Sequence, residues 1–137
     1  MPGTKEYSSY YLHAVVFVPL LSCLLGWQTG KQEYPVIQFE TTTISFDTIK
    51  AGQKITGEFV FKNTGNDALL ITTVQASDGG TIAHWPEQSI MPGAKAGIKV
   101  EFGFTESRQG RQEKSFTVIS NAYNNPVTLY WKGYINK

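Results

Sequence analysis

The chain has a single cysteine, Cys23, in 137 residues. That excludes an internal disulfide and any multi-thiolate metal site, so the fold must be held by its apolar core. Histidine is almost as scarce: His13 lies in an apolar N-terminal run, and His84 stands alone in the remainder. A catalytic triad, a two-histidine metal site or a histidine proton relay would need completion by residues that nothing in the sequence marks. There is no Gly-x-Ser-x-Gly, no glycine-rich phosphate loop and no aspartate-rich calcium loop. Blocks of like charge are missing too, because 12 Lys and Arg are interspersed with 11 Asp and Glu for a net charge of +1. Nothing in that distribution would track a nucleic-acid backbone. These absences argue against an enzyme and a nucleic-acid binder, and they imply no cofactor.

One long apolar run is present, from Tyr10 to Leu25, followed by the polar stretch Gln28 to Glu33. It is short for a membrane span, which takes about 20 residues, and suits the apolar region of a signal peptide. Lys5 is offset by Glu6, and no small-x-small cleavage site follows. Leu20-Leu21-Ser22-Cys23 has instead the outline of a lipobox, in which a diacylated cysteine becomes the first mature residue, although Leu21 stands where a small residue is usual. Residues 1–22 are expected to form a signal or lipoprotein leader helix, Cys23 to be the lipidation site, and 23–38 to be a linker. An uncleaved anchor and a soluble exported form are the alternatives, with Cys23 then an inert apolar residue. Membrane attachment would run through the lipid or the apolar segment itself, placing the protein in the cell envelope as a periplasmic or outer-membrane lipoprotein.

From residue 39 to 137 the pattern changes to period two, broken by turn residues at regular intervals. Ile55, Gly57, Phe59 and Phe61 alternate with Thr56, Glu58 and Lys62. Ile98, Val100, Phe102 and Phe104 repeat this against Lys99, Glu101 and Thr105, and Val127, Leu129, Trp131, Gly133 and Ile135 against Thr128, Tyr130, Lys132 and Tyr134. Successive strand side chains point to opposite faces, so the apolar phases predict a core. Asn63-Thr64-Gly65-Asn66, Asp78-Gly79-Gly80, Pro92-Gly93, Gln109-Gly110 and Asn124-Asn125-Pro126 supply the turns. Counting Ile44 to Phe46, Thr81 to Trp85 and a strand from Lys114 to Ser120, the chain predicts an all-β, immunoglobulin-like sandwich of about seven strands.

The blocks Phe59-Val60-Phe61-Lys62-Asn63-Thr64-Gly65-Asn66, Leu69-Leu70-Ile71 and Ser77-Asp78-Gly79-Gly80-Thr81 resemble the bacterial envelope family known as domain of unknown function 1573. The resemblance runs from about Ile44 to Ile135, through Trp85-Pro86, Ile90-Met91-Pro92-Gly93 and Val118-Ile119-Ser120-Asn121. It implies a single exported sandwich, similar also to hydin-like modules that serve as binding scaffolds. It specifies a scaffold and no chemistry. Members of the family typically show Ser-Cys-Gly-Cys-Thr where this chain has Ser77-Asp78-Gly79-Gly80-Thr81. With both thiols absent, soft-metal or redox chemistry at that loop is ruled out. Asp78-Gly79-Gly80 is expected to be a plain tight turn, with Gly79 or Gly80 at positive φ and Asp78→Asn nearly neutral. Asp47 stands where the family favours glycine.

His84, beside Trp85, is expected to end a strand rather than act as a ligand or base. Tyr130 and Tyr134 should project from the outer face of the last strand on either side of Lys132. Those three residues are the candidate binding site, able to stack on a glycan or to anchor an envelope protein; the plainer expectation is that they cover the outer sheet surface. The leading reading is a non-enzymatic, envelope-associated binding or structural module, a lipoprotein with no metal, that recruits an envelope partner through loops or a sheet edge. The alternative is a metal-handling or hydrolytic accessory using His84, Asp78 and nearby carboxylates.

Overall fold

Among the described residues, alternation of apolar and polar side chains is realised as nine strands packed in two layers. A computed structural model describes residues 30–103 and 109–137; the leader at 1–22, Cys23 and Phe104 lie outside the described residues. The strands are β1 Ile37–Phe39, β2 Thr43–Ser45, β3 Ile49–Lys50, β4 Lys54–Asn63, β5 Ile71–Ala76, β6 Thr81–His84, β7 Lys95–Gly103, β8 Gly110–Ser120 and β9 Val127–Asn136. One sheet has the order β1-β4-β7-β6. The other runs β2-β9-β8-β5, with β3 also paired to β9. The pairings are antiparallel except those of β2 and β3, which run parallel to β9.

The expected inward phases of β4, β7 and β9 are joined between the sheets by one face of β8. Phe59 and Phe61 of β4, Val100 and Phe102 of β7, Phe116 and Val118 of β8, and Leu129 and Trp131 of β9 are all buried. Phe102 meets Trp131 edge to face, with ring centroids 4.2 Å apart. Two glycines make room for large rings, because a strand glycine lets another group approach the backbone. A Cβ on Gly57 would lie 3.2 Å from the Trp131 ring, and the space above Gly133 is filled by the ring of Phe46.

The sequence pattern undercounts the strands and starts the domain late. β1 and β3 are too short to show alternation, and β3 resumes along β9 the pairing that β2 begins. The segment Tyr34 to Gln38, assigned above to a linker, belongs to the sandwich. Pro35 and Ile37 are buried, Val36 O accepts from Thr64 N at 2.9 Å, and Asn124 brackets Ile37 by donating to its O at 2.8 Å and accepting from its N at 3.1 Å. β8 starts at Gly110, four residues before Lys114, where the chain turns through a glycine at φ 93°.

Asn63, at the end of β4, is fully buried and organises the loops beyond it. Its Nδ2 donates to Asp67 O at 2.8 Å and Ile90 O at 2.9 Å, while its Oδ1 accepts from Gly65 N at 3.0 Å and Val36 N at 3.4 Å. One amide thereby ties the entry to β1, the β4–β5 turn and the β6–β7 connection together. Buried polar groups are tolerated when satisfied in this way.

Candidate functional site

The outer face of β9 carries the residues singled out from the sequence. Because Leu129, Trp131 and Ile135 point into the core, Tyr130, Lys132 and Tyr134 must project from the opposite side. Tyr130 and Tyr134 are exposed, and the Lys132 ammonium lies 5.5 Å from the centroid of the Tyr130 ring. Register brings in neighbours that sequence reasoning missed: Glu113 is opposite Lys132 and Arg111 opposite Tyr134 on β8. Lys132 Nζ is 3.7 Å from Glu113 Oε2, an exposed pair of small energetic weight. On the other flank, Thr43 and Ser45 of β2 lie beside Tyr130 and Lys132.

Where β2 gives way to β3, residues 46–48 form one wall of an open groove of about 520 Å³, lined also by Arg111, Lys132, Gly133 and Tyr134. Aromatic faces, two cations, a carboxylate and hydroxyls are thus presented together on a sheet surface. That combination suits hydrogen bonding and stacking to a polar partner. Arg111 and Glu113 escaped notice because Lys114 and Gln112, on the inward phase of the same strand, hide its alternation.

Ser77 to Thr81 is not the plain turn expected. Neither Gly79 nor Gly80 has positive φ; among the described residues the glycines that do are Gly52, Gly93 and Gly110. The loop is shaped by Asp78, whose Oδ1 accepts from Thr81 Oγ1 at 3.2 Å and Gly80 N at 3.4 Å. Its Oδ2 is bonded to the ammonium of Lys114. Lys114 is only 6% exposed and projects from β8 into the end of the core, over the Phe102 ring. Burial raises the pKa of the Asp78 carboxyl, but the hydrogen bond and charge of Lys114, with Thr81 and Gly80, outweigh this and hold it below its ordinary value of 3.8. Near neutrality for Asp78→Asn no longer follows.

His84 is exposed at the end of β6, opposite Lys99, while Asp78 precedes the start of that strand and is engaged with Lys114. Among the described residues no group of three or more His, Cys, Asp or Glu side chains is placed to hold a metal ion.

A family model described as Protein of unknown function (DUF1573) matches residues 37–135, from the start of β1 almost to the end of β9. The chain belongs to this family. Solved structures share the two-sheet, immunoglobulin-like sandwich of the DUF1573 chain. A protein of unknown function from Porphyromonas gingivalis matches with TM-score 0.63 and 13% identity, over 74% of this chain and 47% of that one. The DUF1573 chain therefore spans about half of that protein's length. PapD-like domain 7 of human CEP192 matches with TM-score 0.61 and 8% identity, over 80% and 92% of the two chains. The YadV chaperone matches with TM-score 0.51 and 18% identity, over 74% and 52%. At such identities the likeness is one of fold alone. No curated protein matches this DUF1573 chain.

Proposed function

We propose that the protein is a non-enzymatic, envelope-associated binding module that recruits an envelope glycan or protein through the outer face of β9. The observation that carries this reading is the row Tyr130, Lys132 and Tyr134, flanked by Arg111 and Glu113 and opening on the groove beside Phe46. Rigid strands position such a site more closely than loops do. Two tyrosines supply large contact area with little side-chain entropy to lose, and the charged groups between them give orientation. Membrane association would come from a lipid on Cys23 or from the apolar run Tyr10 to Leu25, two acyl chains giving stable attachment where one does not.

The binding role is tested by in-cell crosslinking of the tagged full chain, with identification of the protein or polysaccharide carried along. Tyr130→Ala combined with Tyr134→Ala should remove the captured species at unchanged melting temperature. Capture that survives both substitutions would contradict the assignment of this face. Metabolic fatty-acid labelling tests the anchor separately: label lost in Cys23→Ser is expected, and undiminished label in that variant would refute lipidation at Cys23.

A further inference from the structure

Exposed apolar side chains also gather away from β9, at the end of the sandwich where β4, β6 and β8 finish and β5, β7 and β9 begin. Tyr34, leading into β1, is 40% exposed; Leu70, before β5, 41%; Met91, between β6 and β7, 62%; and Tyr123, between β8 and β9, 76%. These loops are tightly built. The Tyr34 and Tyr123 rings pack at 4.9 Å, Tyr34 N donates to Asn66 Oδ1 at 2.9 Å, and Tyr123 N donates to Pro35 O at 2.8 Å. Leu70 N donates to Asn121 Oδ1 at 2.8 Å, and Met91 follows Ile90, which exchanges two backbone bonds with Leu69 at 2.8 and 2.9 Å. The backbone therefore holds these side chains in solvent, and a gathering of exposed apolar groups on a folded domain marks a contact surface.

Sequence distance indicates what the surface meets. The apolar run ends at Leu25, nine positions before Tyr34, and that length of chain spans at most about 32 Å when extended. A membrane that takes up the run is thus within short reach of this end of the domain.

We propose that this end docks on the bilayer surface, with Tyr34, Leu70, Met91 and Tyr123 entering the interfacial layer. The inference rests on the reading that Cys23 or the apolar run is membrane-attached. Tyrosine suits that layer, its ring among acyl chains and its hydroxyl among headgroups. The patch is too small to hold a domain on a membrane unaided. A tether makes the contact intramolecular, so a weak apolar surface suffices to orient the domain. Glu33, Asp67 and Glu87 lie in the segments that meet at this end, with Lys62 near the end of β4 and Lys95 at the start of β7, so it carries no basic excess for anionic headgroups, and the contact should form on zwitterionic lipid. Tyr134 stands seven residues along β9 from Val127, about 23 Å at strand spacing, which keeps the β9 face clear for its partner.

The test uses the full chain reconstituted in phosphatidylcholine vesicles with and without bromine on the acyl chains, which quenches nearby indoles. Two exposed positions are compared, Tyr123→Trp and Tyr134→Trp, each read as emission added to that of wild type. Tyr123→Trp should lose at least about half of its added emission in brominated vesicles while Tyr134→Trp keeps its own, as an interfacial ring and a distant one would. If the chain floats with the vesicles but Tyr123→Trp is not quenched, docking is refuted and the anchor stands, whatever covers these loops instead. If the chain fails to float, the anchor reading falls and the docking with it.

Discussion

The Lys114 ammonium sits in the end of the core, 4.8 Å from the centroid of the Phe102 ring, and the Asp78 carboxylate is its counterion. Asp78→Asn removes the charge but keeps the shape, leaving a buried cation without that partner. Lys114→Met replaces the cation with an apolar chain of similar length. Removing one member of a buried pair costs more than replacing the cation by a hydrophobe. Asp78→Asn should therefore lower stability by about 2 kcal/mol, and Lys114→Met by less. Urea denaturation of the two variants beside wild type checks the order, and a reversed order would show that Asp78 does not compensate the lysine.

Acid stability follows from the same pair. The folded carboxyl of Asp78 titrates below 3.8, so the unfolded chain takes up this proton first as pH falls. The stabilisation is fully present above that ordinary value and is lost as pH drops through the lower, folded value. Melting temperatures measured downward from pH 5 should fall less steeply in Asp78→Asn than in wild type. Parallel curves would remove the carboxylate from the acid transition.

Trp131 is 1% exposed, and its indole Nε1 has no hydrogen-bond acceptor among the described residues. Trp131→Ala should cost about 3–5 kcal/mol, the range for deleting a buried aromatic. Trp131→Phe removes the unsatisfied donor along with part of the ring and should cost less. Gly57→Ala places a methyl 3.2 Å from the Trp131 ring and should cost about 1–3 kcal/mol through overpacking. Combined with Trp131→Phe, Gly57→Ala should become cheaper than in wild type, and a double-mutant cycle by calorimetry measures that coupling. Strict additivity would mean that the two groups do not press on one another.

Asn63 binds three chain segments through one buried amide. Asn63→Ala takes the side-chain partner from Val36 N, Gly65 N and Asp67 O, all part-buried, while Ile90 O keeps its bond from Leu69 N, and should cost about 2 kcal/mol, each group that loses its partner adding to the loss. Amide hydrogen exchange should then rise at Gly65 and Val36, whose N–H groups lose their acceptor. Unchanged protection at both amides would show that the loops hold without it.

Much of this architecture is legible in the sequence because burial on one face imposes period two. Phe59, Val100, Leu129 and Trp131 announce their phase through the polar residues between them. The same rule fails where a polar residue is buried: Lys114 and Gln112 disguise the first part of β8, and with it Arg111 and Glu113. Asn63 looks like turn punctuation, since only the folded chain brings Val36, Asp67 and Ile90 within reach of its amide. Asp78 looks like part of a glycine turn for the same reason, its partner lying 36 positions away. The row Tyr130, Lys132 and Tyr134 was readable because it lies along one strand. The groove beside it was not, because it depends on β2 and β3 pairing in parallel with β9.

The contact role of the β9 face is tested most directly by photo-crosslinking in living cells, with a photoreactive phenylalanine analogue placed in the full chain at position 134 or, as a control on the other sheet, at exposed position 62. Irradiation should give a discrete adduct from position 134 that disappears when Lys132→Ala and Tyr130→Ala are added, and none from position 62. No adduct from position 134, or the same adduct from both positions, would contradict a partner-binding surface on β9.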